Sequence, residues 1–116
     1  MKLKAEIWVK ALIRRAGVAN APAMVVRRGH AEAGTVYVKV ARLDGTADVY
    51  GPTWGASGER VWMRVTGTAP VSDEEAEAYL ARQEKVDPDF WVVEIEDKEG
   101  RHFLTEPVEE SPPPLR

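Results

Sequence analysis

The chain reads as an α+β domain, a mainly antiparallel sheet of five or six strands with two helices packed on one face. Three observations predict this. Residues 35–51 alternate and turn on Asp44-Gly45 as a hairpin does, and two separate stretches repeat their apolar residues at helical spacing. The expected order is one helix, four strands, a second helix, a strand and a short closing strand.

Lys2 to Gly17 predicts the first helix. Ala5, Trp8, Val9, Leu12, Ile13 and Ala16 recur three and four residues apart and fill one broad face, which should lie on the sheet. Glu6, Lys10 and Arg14 form the wet stripe, and Glu6 before Lys10 is the favourable order for a helical ion pair. Leu3, Ile7 and Ala11 make a smaller apolar strip beyond it. The plain reading is that Ile7 is a singly exposed apolar residue; the sharper one is that the strip meets a partner or a second copy of the chain. Gly17 ends the helix, with Asn20, Ala21 and Pro22 as its exit.

Ala23–Gly29 is a short strand carrying Val25 and Val26 and ending in Arg27-Arg28-Gly29. In Thr35–Leu43, Val36, Val38 and Val40 point one way and Thr35, Tyr37, Lys39 and Ala41 the other, the period of a half-buried strand. Asp44-Gly45 supplies the positive φ of a tight hairpin turn, because glycine has no Cβ to clash. Beyond Gly51-Pro52 and the loop Thr53–Glu59, Arg60–Thr66 alternates again. Val61, Met63 and Val65 should face inward and Arg60, Trp62 and Arg64 outward, with Trp62 an exposed aromatic between two arginines.

Ser72 caps the second helix, and Glu75 three residues on completes a capping box. Ala76, Tyr79, Leu80, Gln83 and Val86 form its buried stripe, and Asp87-Pro88 ends it, since the residue before proline leaves the α region. Phe90–Glu96 predicts a strand with Trp91, Val93 and Ile95 on one face. Asp97–Gly100 turns, and His102–Leu104 returns as a short arm. Residues 1–105 form the expected domain; 106–116, rich in proline and acid, predict a disordered tail.

Composition removes several chemistries. A chain of 116 residues without cysteine has no disulfide, thiol nucleophile or thiolate metal site. No stretch is long and apolar enough to span a bilayer, so a cytoplasmic protein without membrane contact is expected. The net charge of −3 hides an asymmetry: residues 1–42 carry nine Lys and Arg against Glu6 and Glu32, while residues 43–116 are strongly acidic. The two halves can neutralise one another, or the basic half can meet an anionic partner.

The glycine-rich loop from Gly51 to Gly58 lacks the Lys-Ser/Thr of a phosphate-binding loop and leads into a strand where that motif needs a helix. Gly55-Ala56-Ser57-Gly58 resembles a nucleophile elbow, but Glu59 replaces its last glycine, so Ser57 reads as a turn serine. His30 and His102 have no ligand spacing between them, and Glu94 with Glu96 reads as an outward strand face. No cofactor and no metal are expected.

Glu6–Ala11, Val26–Gly29, Leu43–Ala47, Tyr79–Gln83, Asp87–Asp97 and Gly100–Leu104 together resemble a small alphaproteobacterial protein family known as domain of unknown function 1491. The similarity covers about residues 2–105, and Asp87-Pro88-Asp89-Phe90-Trp91-Val92-Val93 is its most specific part. Where an acid is expected after Arg27-Arg28-Gly29, this chain has His30. The resemblance implies a bacterial cytoplasmic protein and brings no activity or site residue with it.

The functional expectation is a non-enzymatic binding or accessory module. Lys10, Arg14, Arg15, Arg27 and Arg28 with Trp62 would form a basic-aromatic surface for an acidic protein or nucleic acid. One alternative is a small enzyme or ligand-binding protein using His30 or His102 with a carboxylate. The other is a structural module that homo-oligomerises through Leu3, Ile7 and Ala11.

Overall fold

The computed structural model describes residues 4–32, 34–55 and 57–109. Its order is α1 (Ala5–Val18), β1 (Ala23–Arg27), β2 (Thr35–Ala41), β3 (Thr46–Trp54), β4 (Arg60–Arg64), β5 (Val71–Ser72), α2 (Asp73–Val86), β6 (Phe90–Glu96) and β7 (Val108–Glu109). The α+β class and the element order hold, apart from the two-residue β5 and the position of the last strand. The sheet is mixed. Its strands run β1-β6-β2-β3-β4-β7, with β5 paired to β3, and the β2–β6 and β4–β7 pairs are parallel among otherwise antiparallel neighbours.

The helices do not share a face. Val36, Val38, Val40, Trp91, Val93 and Ile95 pack with Val9, Leu12 and Ala16 of α1. The alternate positions Phe90 and Val92, with Ala47 and Val49, pack with Ala76 and Leu80 of α2. Each central strand is therefore buried on both sides, a three-layer arrangement. The sequence hid this because Lys39, which interrupts the apolar pattern on the α2 face, is itself buried at 3% exposure. Its Nζ reaches Asp73 at 2.6 Å, Glu77 at 2.5 Å and Glu94 at 3.7 Å. Burial opposes its charge, but the Asp73 and Glu77 hydrogen bonds, with Glu94 behind them, hold its pKa above the ordinary lysine value.

Helix α1 ends in a left-handed residue, at Asn20 (φ 65°) rather than Gly17. The Ala21 N–H returns to Ala16 O and the Asn20 N–H to Gly17 O, closing the last turn. Ser72 caps α2 by accepting from the Glu75 N–H at 3.0 Å. Val86, expected in the buried stripe, is 79% exposed at the last position of α2. The β2–β3 turn uses three residues: positive φ falls at Leu43 and Gly45, the Arg42 N–H closes on Thr46 O, and Asp44 Oδ1 accepts from Thr46.

After β6 the chain crosses the α1 face of the sheet as an irregular segment and rejoins the sheet edge as β7 beside β4. His102–Leu104 is therefore not a strand, and part of the expected tail, Val108–Glu109, is one. Residues 110–116 lie outside the described residues. Trp8 Nε1 donates to Glu106 at 2.7 Å, Trp62 N to Pro107 O at 2.9 Å, and Arg15 Nε to Phe103 O at 3.0 Å, fastening this segment down. No helix among the described residues is long and apolar enough to cross a membrane.

Candidate functional site

The expected basic-aromatic surface is not assembled as the sequence suggested. Trp62 is 8% exposed and stacks on Trp8 with centroids 5.1 Å apart. It lies inward because the outer face of β4 is covered by α1 and the crossing segment. The exposed tryptophan is Trp54 near the hairpin tip, 69% exposed beneath Arg60. Arg27 spends its guanidinium on Phe90 O, Pro88 O and Glu84 and lies over the Phe90 ring. Arg28 pairs with Glu6 at 2.7 Å, a contact that replaces Lys10 as the closest cation to that carboxylate and, with Lys10, lowers the Glu6 pKa. Arg15 is half-buried against Phe103 O, while Lys10 and Arg14 face solvent.

The histidines lie apart in the fold. His30 is exposed, its ring accepting from the Glu32 N–H and its carbonyl from Trp91 Nε1. His102 is half-buried. On the strip expected to form an oligomer contact, Ile7 is 50% exposed and Ala11 half-buried, and Leu3 lies outside the described residues. Among the described residues no group of three or more His, Asp or Glu side chains is placed to hold a metal ion.

What the fold does build is a polar cavity of about 510 Å³ between the crossing segment and strands β3 and β4. Arg42, Arg64 and Arg101 line it with Tyr50 and His102, and Glu99 and Glu109 stand at its rim. The three arginines come from three places in the chain: the end of β2, the end of β4 and the start of the crossing segment.

Each guanidinium is held by an anchor. Asp48, wholly buried on β3, accepts from Arg42 Nε at 2.9 Å and faces Arg64 Nε at 3.6 Å. Arg64 also donates to Thr68 O at 2.9 Å. Arg101 grips the buried Asp97 through Nε at 3.1 Å and Nη2 at 2.8 Å, a bidentate pair that raises its pKa and lowers that of Asp97. Gly100, at φ 75°, permits the approach of Arg42, because a Cβ there would collide with that guanidinium. Side chains fixed in this way are pre-oriented, which reduces the entropy that binding must spend on them.

His102 adds a directed donor. Its Nδ1 accepts the Leu104 N–H at 2.9 Å, so in the neutral ring the proton sits on Nε2. Burial first, and then the charge of Arg64, hold its pKa below 6.5. The ring packs edge-on to Tyr50 with centroids 4.9 Å apart, and Arg64 lies over the same tyrosine. The sequence carried little signal for this site. Arg42, Arg64 and Arg101 share no local motif, and only the topology gathers them.

Residues 3–105 match the family model described as "Protein of unknown function (DUF1491)". A crystal structure of a DUF1491 family protein from Caulobacter crescentus CB15 at 1.87 Å resolution is 50% identical with a TM-score of 0.82, over 93% of this chain and 100% of that one. An NMR structure of a DUF1491 family protein from the same organism is also 50% identical, with a TM-score of 0.80 over 94% and 98%. The solution structure of protein Atu0922 from A. tumefaciens is 36% identical, with a TM-score of 0.79 over 97% and 98%. No curated protein matches.

Proposed function

The chain belongs to the DUF1491 family of proteins of unknown function, and from that premise we propose a non-enzymatic binding module of the bacterial cytoplasm whose arginine pocket holds a small anionic ligand. One observation carries the reading: three guanidiniums from distant parts of the chain line one cavity, and carboxylates behind them fix each in place. Arginine stays charged and binds oxyanions without exchanging protons, which suits recognition better than acid–base chemistry.

The test is a thermal-shift series with small oxyanions at low ionic strength on the wild type and on Arg101→Gln. Arg101→Gln leaves the buried Asp97 without its bidentate partner and lowers the starting Tm, so each rise is read against that protein's own unliganded Tm. A ligand at a hundred times its Kd stabilises by about 2.7 kcal/mol, a readily measured rise in Tm. Rises confined to the wild type support the pocket; equal rises in both proteins, or none, refute it.

A second reading rests on Lys10, Arg14 and Arg28, which face solvent and keep part of the basic surface. An acidic protein or nucleic acid would meet it there, and a nuclease-treated pull-down comparing wild type with a Lys10→Glu, Arg14→Glu variant tests it.

A further inference from the structure

We infer that the ligand is a phosphomonoester whose organic part carries hydroxyl groups, with its phosphate among Arg42, Arg64 and Arg101 and its hydroxyls at Glu99 and Glu109. This rests on the anion-pocket reading and narrows it. Number and direction are the first argument. A carboxylate offers two oxygens in a plane, which one or two forks satisfy, whereas a phosphate monoester offers three terminal oxygens pointing apart. Here three guanidiniums from three elements line one cavity, two of them sharing the Asp48 carboxylate, and His102 contributes Nε2 as a further donor.

The arrangement of charge is the second argument. Two of the basic groups lie inside, the Arg42 and Arg64 side chains being only 22% and 26% exposed, while Arg101 at 46% reaches toward the mouth. The acids stand at the mouth, where the Glu99 side chain, 76% exposed, keeps one oxygen 3.4 Å from Arg101 Nε and leaves the rest of its carboxylate to solvent, and Glu109 faces water. Carboxylates at the rim repel a second anionic group and accept hydrogen bonds from hydroxyls. A ligand with one anionic end and a neutral, donor-rich body fits that polarity; a polyanion does not.

Size is the third. The cavity of about 510 Å³ opens to solvent on one side. A bare five-atom oxyanion leaves most of that room unfilled.

The experiment is an amide ¹⁵N–¹H shift titration at low salt with three probes: inorganic phosphate, glucose 6-phosphate and succinate. The expected result is saturable shifts at Arg42, Gly67, Gly100, Arg101 and His102. Glucose 6-phosphate should act at about tenfold lower concentration than either other probe, the gain of one hydrogen bond to a charged group. In a Glu99→Ala, Glu109→Ala variant, whose side chains are both exposed, that advantage over inorganic phosphate should vanish. Succinate binding as tightly as the sugar phosphate overturns the phosphate assignment and leaves the anion pocket standing. Parity between glucose 6-phosphate and inorganic phosphate, or an advantage that survives in the double variant, overturns the role of the rim. If no probe moves the pocket amides, both the ligand class and the pocket reading fall.

Discussion

Replacing Asp48 by Asn tests whether the buried carboxylate holds the two inner arginines. The change conserves volume, so no cavity forms, but it removes the only negative charge placed between Arg42 Nε at 2.9 Å and Arg64 Nε at 3.6 Å among the described residues. Removing one partner of a fully buried ion pair costs about 3–5 kcal/mol. Because roughly a quarter of each guanidinium side chain still meets water, and one contact is long, the expected loss is smaller, about 2–3 kcal/mol. For a domain whose total stability is about 5–15 kcal/mol this is a large fraction. It corresponds to a Tm lower by roughly 10–20 °C. Urea unfolding followed by far-UV circular dichroism reads it as a lower midpoint with an unchanged m-value. A loss below about 0.5 kcal/mol would refute the argument that Asp48 is the anchor.

The two tryptophans should respond in opposite ways: Trp62→Ala removes the stack on Trp8 and costs about 3–5 kcal/mol, while Trp54→Ala changes stability by less than about 0.5 kcal/mol in the same urea assay. Stability should also fall as pH drops from 7 toward 5. The pKa of His102 in the folded chain lies below 6.5, so the unfolded chain binds the proton first, and the stabilisation present above 6.5 is lost as pH falls through the folded value. His102→Gln should flatten the profile in that window, measured by urea midpoints across pH. The further loss at lower pH, where Asp97 and Glu6 with their lowered pKa values take up protons, should remain.

The strands and helices were legible wherever periodicity was local. The apolar stripe of α1, the Val36-Val38-Val40 alternation and the Ser72 cap each follow from residues within a few positions of one another. The assignment of helices to faces was not, because Tyr37 and Lys39 look like a solvent face and become buried only when α2 delivers Asp73 and Glu77. Trp62 misled in the same way. Flanked by arginines it reads as exposed, and what covers it arrives from α1 and from residue 107. The pocket was invisible for the same reason: Arg42 and Arg64 reach Asp48 only through strand pairing, and Arg101 joins them only once β6 lies beside β2.

That crossing has a bearing on how the family can diversify. The matched region stops at residue 105, yet Glu106 fixes Trp8, Pro107 receives the Trp62 amide, and Val108 and Glu109 form one wall of the pocket. One wall of the cavity is thus supplied by residues beyond the match to the family model, while the arginines and their anchors lie within it. Substitution or insertion at 106–109 can therefore reshape the entrance of the cavity and leave its interior alone.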